Sequence, residues 1–123
     1  MMSEIDDYIG TLDDQAREIV AAYYASARRV VPEASDGKSY GMAALRYRNR
    51  PLVSVVATKR GFSLFPFSTD VVERARPLLS DMESTKGGFQ FTAQSAVPMD
   101  VFDRIVLDRR DEIDAALAHR SRP

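Results

Sequence analysis

The chain of 123 residues contains no cysteine and a single histidine. Without cysteine, disulfide bonds, thiolate metal ligands and cysteine nucleophiles are excluded. A serine–histidine–acid site would depend on His119, and no nucleophile-elbow motif accompanies it. Lys86-Gly87-Gly88 is too short for a phosphate-binding loop and predicts a turn. We therefore expect a protein that is not an enzyme.

The chain also lacks a long apolar run. No segment approaches the roughly 18 to 20 apolar residues that span a bilayer, and the acidic residues 1–10 do not have the basic start and apolar stretch of a signal peptide. These features predict a cytoplasmic protein with no membrane contact. The length, the absence of repeats or linkers, and a content of 45% hydrophobic and 28% charged residues predict one globular domain over residues 1–123.

Charge is distributed unevenly although the net charge is only −1. Residues 1–18 hold six acids and one base, whereas residues 28–60 hold eight bases and two acids. Basic residues with an interleaved tyrosine could grip nucleic-acid phosphates, and they are Arg46, Tyr47, Arg48, Arg50, Lys59 and Arg60. The pI of about 5.8 and the absence of a recognised motif argue against nucleic acid, so we interpret these residues as solvated hairpin tips.

Helical periodicity marks both ends of the chain and its middle. The predicted helices run from about Asp13 to Val30 after a short lead over Ser3–Gly10, from Ser68 to Ser80 with an end or kink at Pro77, and from Pro98 to about His119. Thr11 followed by Asp14 resembles a capping box for the first of them.

Runs of β-branched and aromatic residues between these helices predict an antiparallel sheet. The predicted strands are Ser39–Tyr47, Leu52–Thr58, Phe62–Phe67, about Met82–Lys86 and Phe89–Thr92, with turns at Arg48–Pro51, Arg60-Gly61 and Lys86–Gly88. The element order predicts an α+β two-layer sandwich of about five antiparallel strands, with the N- and C-terminal helices packed on one face. Tyr40, Met42, Val56 and Phe65 would lie on the other face.

Several short segments carry a resemblance to a known family. They are Pro32-Glu33-Ala34, Ser39–Met42, Lys59 before an apolar strand ending in Phe65-Pro66, Lys86-Gly87 before Phe89–Phe91, and Pro98 opening a helix that contains Arg109. In this order they resemble the YdhG-like domains of the broader YjbR and CyaY group, over about Ile5 to Arg109. The resemblance implies a frataxin-like fold, with an antiparallel sheet and terminal helices on one side.

Function carries over poorly from this resemblance, because most members are uncharacterised. Some members are described as intracellular iron chaperones. Two departures stand out. Ala43 follows Met42 where the family usually has proline, and Gly61 stands where it often has a histidine two residues after the lysine. If that histidine carries binding in relatives, this chain has lost it.

One set of candidate residues matches the family pattern without all being required by packing: Tyr40, Met42, Lys59, Phe65, Lys86 and Arg109. Cations beside aromatic rings can hold a small anion or an acidic partner. The leading hypothesis is a binding domain that uses the open sheet face and its basic rim for a small molecule, a protein partner or a second copy of itself. In the alternative interpretation, the lysines hold turns and Arg109 pairs with a carboxylate.

A second hypothesis is an iron chaperone that binds a hard cation through exposed carboxylates. The candidates cluster around the first helix and are Glu4, Asp6, Asp7, Asp13, Asp14 and Glu18. Helix capping and solubility explain the same residues without a metal. No cofactor is expected other than iron under this hypothesis.

Overall fold

The structure is a computed structural model that describes residues 3–120, with the side chain of Arg120 left out. Within this range there are four α-helices and one 3-10 helix: α1 Glu4–Gly10, α2 Asp14–Val30, α3 Thr69–Ala75, the 3-10 helix Arg76–Leu79, and α4 Met99–Arg120. The same described residues form six strands: β1 Ser35–Ser39, β2 Met42–Tyr47, β3 Arg50–Thr58, β4 Gly61–Phe65, β5 Glu83–Ser84 and β6 Phe89–Phe91. Within residues 3–120, no helix has the length and apolar character needed to cross a membrane.

The strands form a single antiparallel sheet in the order β1-β2-β3-β4-β6-β5. The predicted α+β antiparallel architecture is therefore confirmed, with six strands in place of about five. The sequence predicts fraying of the tail Arg120–Pro123, and residues 121–123 of this tail lie outside the described residues.

The helices begin at side-chain caps. Ser3 accepts the N–H of Asp6 at the start of α1, and Ser68 accepts the N–H of Val71 at the start of α3. The predicted capping box of α2 is wrong, because its cap is Asp13, which accepts the N–H of Ala16 at 2.9 Å. Threonine and aspartate both accept a free N–H of the first turn, so the pattern did not specify which residue caps.

The prediction of a single strand over Ser39–Tyr47 is wrong, because this segment contains the turn of a hairpin and its second strand. Ser39 pairs with Met42, and the two residues between them form a tight turn with φ of 52° at Tyr40 and 77° at Gly41. Positive φ at both central positions is the signature of a type I′ hairpin turn. β1 escaped prediction because Ser, Asp and Gly are depleted in strands.

The core lies between the helices and one face of the sheet. Along this face, Leu45 is opposite Val53, and Val55, Leu64 and Phe89 are aligned across three strands. All five side chains are at most 1% exposed. The ring centroid of Tyr23 in α2 lies 5.4 Å from that of Phe91 and 4.8 Å from that of Phe102. These ring contacts join α2, β6 and α4. The opposite face carries Met42, Ala44, Ser54, Ser63 and Phe65.

Two tyrosine hydroxyls enter the sheet where β2 separates from β3. The pairing of these strands runs from Tyr47 opposite Arg50 to Leu45 opposite Val53. Beyond it, the hydroxyl of Tyr24 accepts the N–H of Val55 at 2.9 Å and lies 3.2 Å from the carbonyl oxygen of Ala43. The hydroxyl of Tyr8, from α1, accepts the N–H of Ala57 at 2.7 Å.

These hydroxyls satisfy backbone groups that a continuous ladder would have paired. The hydroxyl of Ser54 adds a further bond to the carbonyl of Ala43 at 2.7 Å. Burial raises the pKa of Tyr24 above its ordinary value of 10.0, so its hydroxyl keeps its proton at neutral pH. The separation of β2 from β3 is therefore a hydrogen-bonded feature of the fold.

We expect Tyr24→Phe to lower the free energy of unfolding by about 1–3 kcal/mol, because it leaves the buried N–H of Val55 without its partner. Urea unfolding followed by circular dichroism measures the change. Tyr40→Phe is the matched control: the Tyr40 side chain is 85% exposed, so its change should stay within about 0.5 kcal/mol. Equal losses in the two variants would contradict this role of the Tyr24 hydroxyl.

Gly61 opens β4 in a conformation that favours glycine, with φ of 153°. A Cβ atom at this position would meet the backbone oxygen of Phe91 more closely than real Cβ contacts allow. Gly61 is thus required by the close approach of β6 to the turn between β3 and β4. The histidine of the resembling family could not replace it without moving this backbone.

Gly61→Ala and Gly61→His should each destabilise the protein by about 1–3 kcal/mol or more, because backbone strain and the clash with Phe91 act together. Thermal unfolding provides the measurement. Gly10→Ala is the matched control, since nothing lies within 4 Å of a Cβ atom there. A fully stable Gly61→His variant would show that the turn tolerates the family's histidine.

Candidate functional site

An open cleft of about 540 Å³ lies where the first hairpin meets the chain that follows β4. One wall carries three aromatic rings, from Tyr40, Phe65 and Phe67, together with the thioether of Met42. The lining also includes the cationic side chains of Lys86 and Arg109. Pro51, Ser68, Thr69 and Gly87 complete the lining, so within the described chain the cleft has no carboxylate, histidine or cysteine on its walls.

The aromatic wall is built by the hairpin tip. The ring of Tyr40 stacks on that of Phe67 with centroids 5.8 Å apart and planes within 15°. Tyr40 belongs to the β1–β2 turn and Phe67 follows β4, so the tip reaches past β3 in the sheet order. The pairing of β2 with β3 ends before this turn, at Leu45 opposite Val53.

Both stacked residues have strained backbones, with φ of 52° at Tyr40 and 58° at Phe67. Aromatic residues are uncommon in this region, and each such residue costs about 1–3 kcal/mol. Stacking of two rings contributes about 0.5–1.5 kcal/mol. The stack therefore does not offset the strain of both residues, and strained residues of this kind concentrate at functional sites.

Arg109 is fixed by two contacts. Its Nε donates to the carbonyl oxygen of Pro51 at 3.0 Å, and its Nη1 donates to Glu112 at 2.7 Å. The other carboxylate oxygen of Glu112 accepts the hydroxyl of Ser68 at 2.8 Å. The Arg109 side chain is only 13% exposed. Among residues 3–120 its Nη2 has no hydrogen-bond partner, so this nitrogen remains available to a ligand.

Lys86 differs from Arg109 because it is exposed and, within the described residues, forms no ion pair or hydrogen bond. The turn that carries it is nevertheless ordered. Thr85 donates its N–H to the carbonyl of Gly88 at 2.9 Å, and the N–H of Gly87 binds the Thr85 hydroxyl at 3.2 Å. Gly88 itself lies so close to Phe65 and the backbone of Leu64 that a side chain would not fit. This approach places the turn against the aromatic wall.

Five of the six residues predicted from sequence line this cleft: Tyr40, Met42, Phe65, Lys86 and Arg109. Lys59 does not, because it lies in the turn between β3 and β4. Tyr40 was placed on a strand face and is a turn residue. Sequence patterns did not identify three of the lining residues, Phe67, Pro51 and Ser68. Phe67 was predicted to lie within a strand, and residues of turns and helix caps have no periodic pattern that would mark them. Whether the cleft binds a ligand stays a prediction.

The acidic residues around the first two helices do not converge. In the part of the chain that the structure describes, no group of three or more His, Cys, Asp or Glu side chains is placed to hold a metal ion. Asp13 caps α2, and Asp14 lies 3.8 Å from Arg17. Glu4, Asp6 and Asp7 lie in the first turn of α1. Iron binding through these carboxylates stays a prediction.

Two of the basic residues at the hairpin tips, Arg46 and Arg48, have partners within the fold. Arg46 donates to the carbonyl oxygens of Lys38 and Asn49, and its side chain lies over Gly37. Arg48 pairs with Asp114 at 2.9 Å. A bond from the Tyr47 hydroxyl and this ion pair hold the pKa of Asp114 below its ordinary value. These contacts give Arg46 and Arg48 structural roles.

Comparison with known proteins shows the fold. A crystal structure of a protein from the DUF1801 family, YdhG from Bacillus subtilis, is similar to this chain with a TM-score of 0.74. The two share 10% sequence identity, and the alignment covers 87% of this chain and 91% of that one. No family model matches the sequence, and no curated protein does. The likeness agrees with the YdhG resemblance at the level of fold, and it does not support the broader frataxin-like assignment.

Proposed function

We propose that this chain is a non-enzymatic binding protein whose cleft holds a small anionic molecule. The observation that carries the proposal is that two cationic side chains line the cleft together. Arg109 is held by two bonds that leave its Nη2 without a partner, and Lys86 has no partner within the described residues. The lining residues include no carboxylate. Glu112 offsets the charge of Arg109, whereas Lys86 has no counter-charge within the described residues, so the lining carries a surplus positive charge that favours an anion over a neutral or cationic ligand. A cytoplasmic location stays a prediction and does not affect this proposal.

The state of Arg109 supports the proposal further. A surface arginine loses side-chain entropy when it binds, and this cost reduces affinity. Here the bonds to Pro51 and Glu112 already hold the guanidinium at the cleft wall. An anion can therefore accept from Nη2 with little further ordering, and charge-assisted bonds of this kind are among the stronger hydrogen bonds in proteins.

The lining favours binding over catalysis. Among the described residues of the cleft, Ser68 carries the hydroxyl nearest to a charged partner, and that hydroxyl donates to Glu112 while it caps α3. Activation of a serine nucleophile requires a base that accepts its proton and a site for the substrate carbonyl. Glu112 accepts the Ser68 proton but also binds Arg109, and the Ser68 oxygen accepts the N–H of Val71, so this hydroxyl links α3 to α4.

We also infer that the chain is a YdhG-like domain of the DUF1801 family. The fold likeness and the ordered segments from Pro32 to Arg109 support this assignment together, since neither identity nor a family model does so alone. Placement in a frataxin-like superfamily, and the iron chemistry that would accompany it, stay predictions without a structural observation in their favour.

Titration of the protein with phenyl phosphate at low salt, followed by NMR, tests the proposal. We expect a dissociation constant of about 1 mM or below, as is usual for a fragment of this size. Shifted amides should surround the cleft, and added salt should weaken binding because exposed charges are screened. Lys86→Gln should weaken binding about two- to fivefold, and Arg109→Gln about tenfold or more.

Lys59→Gln is the matched control, because it removes a lysine from another turn of the same sheet and Lys59 does not line the cleft. It should leave the dissociation constant unchanged. Equal effects of the Lys59 and Lys86 substitutions would reduce the interaction to general charge attraction. A dimer in sizing experiments whose shifted amides coincide with the cleft would favour a second copy as the occupant and contradict a small-molecule site.

A further inference from the structure

Tyr40 occupies a position that its own turn does not favour. The first central residue of a type I′ turn is normally Asn, Asp or Gly, which tolerate positive φ. Tyr40 has φ of 52°, and its side chain is 85% exposed. Within residues 3–120 its hydroxyl makes no hydrogen bond. Neither turn chemistry nor burial therefore accounts for an aromatic ring here.

The second hairpin of the same sheet provides an internal comparison. Its two-residue turn, Arg48-Asn49, has φ of 50° and 65°, so both turns carry a favoured residue, Gly41 or Asn49, at the second central position and a disfavoured one at the first. The Arg48 side chain pairs with Asp114, which gives that residue a partner in the fold. Tyr40 has instead a ring contact with Phe67, itself at φ of 58°, at the mouth of the cleft.

We propose that the ligand's anionic group is attached to a flat aromatic ring, and that this ring extends the stack formed by Tyr40 and Phe67. This inference rests on the proposed function and names the class of ligand. The two rings stack on each other within 15° of parallel, and Tyr40 is 85% exposed, so a third ring can stack on the outer face of Tyr40. Phe65 and the Met42 thioether contribute further contacts to a ring at that wall.

The position of the cations fits this arrangement. Arg109 and Lys86 line the same cleft as the aromatic surface, so one molecule can meet both. A simple inorganic anion would use the cations and leave the aromatic wall unused. A saturated ligand would contact Phe65 and Met42 equally well, but it would gain nothing from the parallel faces of Tyr40 and Phe67. An aromatic phosphate or carboxylate uses every group on the walls.

Two matched pairs of probes test the inference. Phenyl phosphate is compared with cyclohexyl phosphate, and benzoate with cyclohexanecarboxylate, because each pair differs in ring flatness and keeps the anionic group. In nucleic-acid sites, stacking of a flat base on an aromatic side chain is strong enough to measure. We expect the aromatic member to bind about fivefold or more tightly, and the tighter of the two pairs identifies phosphate or carboxylate as the anionic group.

Tyr40→Asn is the decisive variant, because asparagine suits the turn and removes the ring. We expect it to unfold at an equal or higher temperature than the unchanged protein while its aromatic preference falls to within about twofold. Tyr40→Phe should keep the preference, since the ring remains. This opposite movement of stability and selectivity distinguishes a binding role from a structural one.

Each remaining outcome decides the matter. Equal binding of phenyl and cyclohexyl phosphate would overturn the aromatic inference and leave the anion-binding function standing. An aromatic preference that survives in Tyr40→Asn would likewise overturn the role of the ring pair. Failure of all four probes to bind the unchanged protein would overturn both the inference and the proposed function.

Discussion

The insertion of two tyrosine hydroxyls beside β3 is the constraint on which the shape of the cleft depends. In a regular ladder, β2 would pair with β3 along its whole length and hold the first hairpin flat. Instead the N–H groups of Val55 and Ala57 are satisfied by Tyr24 and Tyr8, from two different helices. The first hairpin thereby remains in the sheet with a shorter pairing between β2 and β3, and these two N–H groups keep a hydrogen-bond partner. Its tip can then stack on Phe67, and the cleft forms beneath it.

The same constraint explains which parts of the fold the sequence could reveal. Alternation and helical periodicity report burial, so the helices and the buried strands β3 and β4 were predicted closely. β1 has neither signal, because its sequence Ser-Asp-Gly-Lys-Ser is polar and pairs along only one edge. The bonds of the Tyr24 hydroxyl to β2 and β3 likewise have no periodic signal. A periodic pattern shows that a residue is buried and does not show what its polar atom binds.

The site was predicted better than its geometry. Tyr40, Met42, Phe65, Lys86 and Arg109 were grouped because they match a family pattern, and the fold brings them to one cleft through five separate elements or turns. Their contacts were not predictable, because the stack on Phe67 and the bonds of Arg109 to Pro51 and Glu112 join residues distant in sequence. Such pairs depend on how the elements pack, which no local pattern contains.

The placement of Lys59 and Gly61 bears on the departure from the resembling family. Both residues belong to the β3–β4 turn region, and neither lines the cleft. Replacement of the family's usual histidine by Gly61 therefore leaves the aromatic wall and the two cations unchanged. Its structural consequence is local, since glycine allows the backbone of Phe91 to approach β4. A binding role that depended on that histidine would require a different region of the sheet, whereas the cleft formed by the first hairpin, Lys86 and Arg109 does not depend on it.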